Sequence, residues 1–188
     1  MYDFTTYISS VIPLDTEALV DFDSKVKAAN FKKGQAIVPK QSICKNLYFL
    51  NKGLVKFYFI SNDGKEVIFR FFSEDSLFTS LESFLTQKTT SHILLTLEPT
   101  CIEFISKQDL DELCIKHHSF EKLYTHLLSL AATNMIRRFS EIMSEFSTDR
   151  YHNFASENCR LMQRISLRDL ANYLGITQVS LSRIRAAR

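Results

Sequence analysis

The stretch LYFLNKGLVKFYFISNDGKEVIFRFF, residues 47–72, predicts the fold of the N-terminal part of the chain. Gly53 and the pair Asp63-Gly64 separate three runs rich in aromatic and β-branched residues, and Asp-Gly between such runs is a strong hairpin signal. Two more runs of this kind follow, SHILLTL and TCIEFIS, divided by Glu98-Pro99. The segment from about residue 31 to residue 106 therefore contains short strands without helices between them, which predicts an antiparallel sandwich or barrel.

Helical patterns lie on both sides of the strands. TEALVDFDSKVKAA, residues 16–29, places apolar residues at helical spacing. KQDLDELCIK, residues 107–116, predicts a short helix for which Ser106 is a suitable N-cap. Residues 119–146 then run without glycine or proline, which predicts one helix about 40 Å long at about 1.5 Å per residue. Residues 147–150 interrupt this pattern and form the predicted hinge before a further helical segment, RYHNFASENCRLMQ.

The predicted long helix carries two apolar stripes. The first stripe consists of Phe120, Leu123, Leu127 and Leu130. The second consists of Tyr124, Leu128, Ala131, Met135, Phe139, Ile142 and Phe146. Either both stripes pack against the strands of the same chain, or one of them faces a second copy. We favour a dimer, because a compact β-domain leaves too little of the chain to cover both faces of such a helix.

Basic charge is concentrated at the C-terminal end. The 188 residues are 45% hydrophobic and 23% charged, which is typical of a packed globular protein, and the net charge is +2. From residue 160 onward, six arginines stand against the single acid Asp169, a local charge of +5. The preceding 159 residues therefore carry 2 minus 5, or −3. This distribution is typical of a small nucleic-acid-binding module attached to an acidic body.

Several classes of protein are disfavoured by what the chain lacks. It has no basic N-terminal segment followed by a long apolar core, and no apolar run approaches about 18 residues, so we expect a cytoplasmic protein. The cysteines at positions 44, 101, 114 and 159 are scattered, which favours buried reduced thiols over a disulfide, a zinc site or an iron–sulfur cluster. A β-barrel metalloenzyme needs several neighbouring histidines, whereas only His92 lies on a predicted strand. We therefore predict no catalytic residue, metal ligand or cofactor.

RISLRDLANYLGITQVSLSRIR, residues 164–185, fits two short helices around a tight turn. Gly175 suits the turn, and Ala171 leaves room where the second helix crosses the first. Ser166 with an acid three residues later resembles a capping box, and Thr177 can cap the second helix. The predicted inward residues are Leu170, Leu174, Ile176, Leu181 and Ile184.

The outward face of the second helix carries groups suited to reading DNA. Arginine can bind guanine through two hydrogen bonds, glutamine can pair with adenine, valine can contact the thymine methyl group, and serine suits a phosphate. The candidate DNA-binding residues are Gln178, Val179, Ser182, Arg183 and Arg185. The alternative is an ordinary helical hairpin with a solvated basic face, which the concentration of arginine in this segment disfavours.

The whole order of elements resembles the Crp/Fnr (cyclic AMP receptor protein) family of bacterial transcription regulators, from about residue 15 to residue 185. FKKGQAIVPKQSICKNLYFLNKGLVKFYFISNDGKEVIFRFF, residues 31–72, is similar to the first β-roll hairpins of that family. RISLRDLANYLGITQVSLSRIR is similar to its DNA-reading motif, and the segments YLGIT and LSRIR are most similar to members from Bacteroidetes.

The resemblance implies an α+β protein in three parts. These are an antiparallel β-roll sensor domain like the cyclic-nucleotide-binding jelly roll at 1–115, a long dimerisation helix at 116–146, and a helix-turn-helix DNA-binding domain at 147–188. It also implies a homodimer whose recognition helices enter successive major grooves of a roughly palindromic duplex, about 34 Å apart, with RNA polymerase as a candidate further partner. Many members continue into a β-hairpin wing. This sequence ends at Arg188, so we expect backbone contacts from the terminal arginines.

The ligand chemistry of the family is missing from the sequence. Members that bind cyclic nucleotides hold the ribose with a Gly-Glu pair and neutralise the cyclic phosphate with an Arg-Ser pair. Thr79-Ser80 and Thr90-Ser91 stand at those positions and are the ligand-pocket candidates, while nearby Lys88 is interpreted as a surface charge. A buried phosphate without its arginine loses a charge-assisted bond worth roughly 1.5–3 kcal/mol. Ordinary cyclic AMP binding is therefore not expected.

Other effectors of the family also lack their residues, and the effector stays unknown. The N-terminal cysteine cluster of the oxygen sensors is absent, and neither Cys101 nor Cys114 has a basic neighbour to support a redox switch. Surface or capping roles fit better than haem ligation for His92, His117, His118 and His126. Two alternatives remain: a cyclic-nucleotide-dependent regulator with an atypical pocket, and a protein-interaction module on the same fold that does not bind DNA.

Overall fold

A computed structural model describes residues 2–186, so Arg188 lies outside the described residues. The helices are α1 Phe4–Val11, α2 Thr16–Lys25, α3 Leu81–Thr86, α4 Lys107–Lys116, α5 His118–Ser144, α6 Ser147–Glu157, α7 Leu167–Leu174 and α8 Gln178–Ala186, with a short 3-10 helix at Leu161–Gln163. The strands are β1 Lys27–Phe31, β2 Ala36–Val38, β3 Asn46–Lys52, β4 Val55–Ile60, β5 Glu66–Phe72, β6 Ser76–Phe78, β7 Ile93–Thr96 and β8 Thr100–Ser106. None of the described helices is both long and apolar enough to cross a membrane.

The strands form two four-stranded sheets, in which every pairing is antiparallel. The first sheet has the order β1-β8-β3-β6, and the second has the order β2-β7-β4-β5. The predicted hairpin at Asp63-Gly64 joins β4 to β5, and Gly64 takes a positive φ of 80°. A bulge between Phe57 and Tyr58 shifts the register of this hairpin. The prediction of an antiparallel β-roll is confirmed.

Two apolar clusters hold the N-terminal part together. One lies between the sheets and is built from Val38, Cys44, Tyr48, Leu50, Val55, Phe78, Leu94 and Ile102. The other joins the first sheet to the surrounding helices through contacts between aromatic rings. Phe22 of α2 contacts Phe4 at 5.0 Å and Phe120 of α5 at 5.5 Å between ring centroids. The start of α5 is therefore anchored on the β-roll.

The segment after α2 differs from the prediction. A helix was expected over residues 16–29, but α2 ends at Lys25 and residues 27–31 form β1. β1 pairs with β8 along its whole length, from Lys27 opposite Phe104 to Phe31 opposite Thr100. Strand pairing with a distant segment has overridden the local helical pattern here.

The long helix is confirmed, although its two stripes divide differently from the prediction. Phe120 and Leu123 are buried, and Tyr124, assigned to the second stripe, packs against the same core. Leu130, assigned to the first stripe, is 47% exposed. The division shifts because the apolar cluster between the first sheet and the helices includes residues from the first turns of α5, as far as Leu127. Beyond them, the large apolar side chains that remain exposed are Leu130, Met135, Ile136, Phe139, Ile142, Met143 and Phe146.

The break after the long helix lies slightly before the predicted hinge. α5 ends at Ser144 and α6 begins at Ser147, so Glu145 and Phe146 form the break and residues 147–150 form the first turn of α6. Arg150 donates a hydrogen bond to the Glu145 carbonyl across this break.

The four cysteines are free thiols, of which Cys44 is buried and Cys159 is exposed, so the expectation that all four are buried was wrong.

Gly53→Ala is expected to destabilise the β-roll. Gly53 has a φ of +115°, and an added Cβ would lie 2.5 Å from the hydroxyl oxygen of Thr100 and 2.9 Å from its Cα. Backbone strain and overpacking each cost about 1–3 kcal/mol, so the free energy of unfolding measured in urea should fall by roughly 2–6 kcal/mol.

Gly34→Ala is the matched control for this variant. Gly34 also has a positive φ, +78°, but an added Cβ would meet no atom within 4 Å. Only the left-handed backbone then contributes, at about 1–2 kcal/mol. Equal losses in the two variants would contradict the importance of the close approach at Thr100.

Candidate nucleic-acid interface

Helices α7 and α8 are joined by a tight turn and capped by side chains at both N-termini. The Ser166 hydroxyl accepts a hydrogen bond from the Asp169 backbone N–H at 3.0 Å and donates one to the Asp169 carboxylate at 2.7 Å. Gly175 ends α7 in the left-handed conformation with a φ of 69°. The Thr177 hydroxyl accepts a hydrogen bond from the Ser180 N–H at 3.1 Å. The predicted caps and turn are therefore present.

The five candidate DNA-binding residues lie together on one face of α8. Their side chains are exposed and span about 160° of the helix at about 100° per residue. They are Gln178, Val179, Ser182, Arg183 and Arg185. The opposite face packs inward, since Leu170, Ala171, Leu174 and Leu181 are buried and Ile176 and Ile184 are partly buried against the same cluster.

The C-terminal helices pack against the outer face of the second sheet. Tyr58 and Ile68 of the sheet share one apolar cluster with Phe154 of α6 and Leu170 of α7. Phe71 lies 5.5 Å from Tyr173 between ring centroids. The sequence did not predict this docking. It means that the helices carrying the candidate interface share a core with the β-roll.

Arg164 joins the segment before α7 to three loops of the β-roll. Its guanidinium donates to the Glu74 carboxylate at 2.8 Å, to the Glu98 carboxylate at 2.7 Å and to the Gly53 carbonyl at 2.9 Å. The hydrogen bond from Arg164 is the largest cause that lowers the pKa of Glu74, to about 2. Glu74 also accepts a bond from the Gly53 N–H at 2.9 Å. All four groups therefore form one polar network.

Lys56 makes a second ionic contact between the β-roll and α7. The side chain is buried, and its ammonium group lies 2.7 Å from the Glu66 carboxylate and 3.0 Å from that of Asp169. Burial lowers the pKa of Lys56, but the hydrogen bonds to both carboxylates outweigh this effect and hold it above its ordinary value. Asp169 therefore both belongs to the cap of α7 and pairs with a strand of the second sheet.

The predicted ligand-pocket residues are mostly engaged in internal hydrogen bonds. Ser80 and Thr90 are buried, with their hydroxyl oxygens 3.1 Å apart. The Thr79 hydroxyl donates to the Asn46 carbonyl at 2.9 Å. Ser91 is exposed. The structure therefore brings three of the four residues into the interior near α3, and Ser91 lies outside it.

Comparison with known proteins shows what this chain is similar to. Residues 28–117 match the family described as cyclic nucleotide-binding domain. A regulator described as belonging to the Crp/Fnr family, from Eubacterium rectale, is 16% identical with a TM-score of 0.72, over 91% of this chain and 82% of that one. Residues 28–117 are therefore similar to a cyclic nucleotide-binding domain, and the chain as a whole has the fold of the solved Crp/Fnr-type structures.

Other solved Crp/Fnr-type structures agree with this placement. FixK2 from Bradyrhizobium japonicum is 17% identical with a TM-score of 0.73, over 86% of this chain and 83% of that one. The Catabolite Activator Protein of Thermus thermophilus is 18% identical with a TM-score of 0.61, over 96% of this chain and 85% of that one. No curated protein sequence matches this chain significantly.

Two histidines of residues 28–117 take part in local contacts. His92 lies 5.0 Å from Phe57 between ring centroids, and burial lowers its pKa. His117 is buried, with Nε2 2.7 Å from the Asp21 carboxylate. Glu17, Asp21 and His117 are close enough to offer ligand atoms to one ion, but the Lys116 ammonium group already contacts both carboxylates, at 3.1 and 2.6 Å. A bound cation is therefore not needed to balance this cluster.

Sequence reasoning identified the exposed face of α8 and missed the ionic contacts that position it. One signal was available, because Lys56 interrupts an otherwise apolar strand, LVKFYFI, and a charge in a buried strand requires a partner. The partners themselves were not predictable by spacing, since Asp169 is 113 residues away from Lys56.

Glu74→Gln is expected to change how stability depends on pH. A carboxyl group whose folded pKa is depressed stabilises the protein fully above its unfolded pKa, and this contribution is lost as the pH falls toward the folded pKa. For Glu74 that window runs from about 4.5 down to about 2. Urea unfolding should therefore show a less stable variant at pH 7 and a shallower decline of stability below pH 4.5 than in the wild type.

Glu157→Gln, which removes an exposed carboxyl of α6, is the control and should retain the wild-type decline. An unchanged decline in Glu74→Gln would show that the Arg164 network does not contribute to stability at low pH.

Proposed function

We propose that this protein is a transcription regulator that binds specific double-stranded DNA sequences as a homodimer, with α8 as its recognition helix. The observation that supports this proposal is the exposed face of α8, which carries polar and basic side chains. A capped, tightly packed turn fixes the position of this helix. Its Crp/Fnr fold supports the same reading, since proteins of that fold are described as transcriptional regulators.

Each residue of the exposed face has a proposed role. Arg183 and Gln178 read base edges in the major groove, Val179 contacts a thymine methyl group, and Ser182 and Arg185 bind phosphates. Among residues 2–186, neither Arg183 nor Arg185 has a carboxylate partner, so both guanidinium groups are free to meet an anionic duplex.

The exposed apolar stripe of α5 supports dimerisation through this helix. Large apolar side chains occupy consecutive turns, and their exposed fractions are 65% at Phe139 and 70% at Met143. A continuous apolar surface of this kind on a long helix favours a second helix as its partner. A two-fold pair would place the recognition helices about 34 Å apart, suited to a roughly palindromic site. In this arrangement residues 1–115 form the sensor domain, residues 116–146 form the dimerisation helix and residues 147–188 bind DNA.

The effector of this regulator is proposed not to be cyclic AMP. Thr79, Ser80 and Thr90 replace the carboxylate and guanidinium groups of the family's phosphate cassette, and they bond to one another or to the backbone. A cyclic nucleotide held in an atypical way is the alternative within the same function. The protein is proposed to act in the cytoplasm, with RNA polymerase as a candidate further partner.

A protein-interaction module on the same fold is the competing proposal. Such a module would use α8 to dock a protein and would show no preference for duplex DNA. Salt dependence separates the two, because binding to a duplex releases counterions and weakens steeply between about 50 and 200 mM salt.

Arg183→Ala is expected to weaken DNA binding. The loss should be about 1–3 kcal/mol on a duplex that the wild-type protein has selected from a random pool, and smaller on unrelated duplexes. Fluorescence anisotropy over a salt series measures the affinity for the selected duplex and for the unrelated duplexes. Lys122→Ala, an exposed lysine near the start of α5, is the control and should bind like the wild type. Equal losses on all duplexes would mean that Arg183 holds only phosphate, and no binding of any duplex at low salt would reject DNA recognition.

Phe139→Lys is expected to convert the dimer to a monomer. A charge placed in the middle of the stripe must be desolvated at a helix–helix contact, which costs several kcal/mol when the charge is unpaired. Sedimentation equilibrium measures the molecular mass. Thr133→Lys places the same charge at another exposed position of α5 and should leave the dimer intact. A dimeric Phe139→Lys variant would contradict the proposed interface.

A further inference from the structure

A cavity of about 520 Å³ lies where β5, α5 and α6 meet. It is lined by Arg70 from β5, Asn134 and Arg137 from α5, and Arg150 and Asn153 from α6. The four residues that replace the family's phosphate cassette do not line it. The cavity is therefore separate from the position where a cyclic nucleotide would meet those residues.

The walls of this cavity carry more basic than acidic groups. The four arginines are Arg70, Arg137, Arg138 and Arg150, and the three acids are Glu141, Glu145 and Glu157. Two of the acids already have partners. Glu141 is shared by Arg138 at 3.3 Å and Arg137 at 3.8 Å, and Glu145 accepts a bond from the Asn153 amide at 3.1 Å.

Arg70 is the unbalanced charge of the group. Within residues 2–186 its guanidinium has neither an ion-pair partner nor a hydrogen bond, and it lies 5.6 Å from the centre of the Phe72 ring. Its side chain is exposed. Burial of part of the side chain lowers the pKa of the guanidinium, Tyr173 raises it, and the nearby charge of Arg137 lowers it. No carboxylate among the described residues pairs with this cation.

Two further donors lie beside the site without an acceptor among the described residues. The Nε atoms of Arg138 and Arg150 are buried and make no hydrogen bond. Both side chains are held firmly, since Arg138 stacks 3.8 Å from the centre of the Tyr173 ring and Arg150 donates to the Leu174 carbonyl at 3.0 Å. Buried donors without partners are rare in folded proteins, because each costs the free energy of its lost hydration.

We infer that this cavity binds a small anion carrying phosphate or carboxylate groups. Arg70 and Arg137 neutralise its charge, and the amides of Asn134 and Asn153 orient it. Guanidinium groups suit both oxyanions because their planar donors match the oxygen spacing of either. The anion would contact the β-roll, the long helix and the C-terminal helices at once.

A ligand in this position can act on DNA binding, which is the part of the inference that rests on the proposed function. The cavity borders the break at Glu145 and Phe146, where α5 passes into α6. An anion that binds one arrangement of α5 and α6 more tightly shifts the protein toward that arrangement. By linkage, DNA and anion then change each other's affinity by the same factor.

Isothermal titration of the full chain with inorganic pyrophosphate and, separately, with citrate tests the inference. Ionic strength is held constant with sodium chloride, so that general screening is the same in every titration. We expect at least one anion to bind, and the one that does identifies the phosphate or carboxylate class. Arg70→Gln and Arg137→Gln should each weaken that binding about tenfold, the effect of losing about 1.4 kcal/mol of charge-assisted bonding. Arg70→Lys should retain part of it.

Arg183→Ala is the matched control, because it removes a guanidinium from the exposed face of α8 and not from the cavity. It should leave anion binding unchanged. Absence of binding by both anions, or equal binding by wild type and both cavity variants, would overturn the inference. DNA binding is measured in separate titrations, and the results of the anion titrations do not affect them. Failure of the anion site is therefore distinguishable from failure of the proposed DNA recognition.

Discussion

The second sheet is apolar on both faces, and the arrangement of the molecule depends on covering both. Val55 and Leu94 are buried against the first sheet, whereas Tyr58 and Ile68 on the opposite face are buried under the C-terminal helices. Leaving that outer face in water would cost roughly 25 cal/mol for each Å² of apolar surface. A β-roll with such strands requires a further layer, and helices α6 and α7 supply it.

The polar contacts around this layer determine how the helices sit on the sheet. Partly buried ion pairs add little net stability, because desolvation offsets their attraction, but a charge left without its partner is strongly unfavourable. Arg164 between Glu74 and Glu98, and Lys56 beside Asp169, are satisfied together only when the helices dock in one orientation. The apolar cluster favours docking of the C-terminal helices on the sheet, and these ion pairs select the orientation in which the helices dock.

The same helices therefore serve two purposes. They complete the core of the β-roll on one side and hold the exposed face of α8 on the other, so a change at the sheet reaches α8 through packed side chains rather than through a flexible linker. The hydroxyl groups of Ser80 and Thr90 contact each other in the interior near α3. The arginine-lined cavity lies instead at the junction of β-roll, long helix and C-terminal helices, where a ligand would contact all three.

The sequence by itself determined the features that depend on near neighbours along the chain. The hairpin at Asp63-Gly64, the caps at Ser106 and Ser166 and the long unbroken helix follow from turn chemistry, capping and periodicity, which act over a few residues. Only the tertiary structure decided that residues 27–31 form a strand, that Arg164 meets two distant acids, and that four arginines share one cavity. In each case segments 66 residues or more apart along the chain meet, as Arg164 does with Glu98 and Arg70 with the other three arginines. Local pattern carries no information about which distant groups will meet.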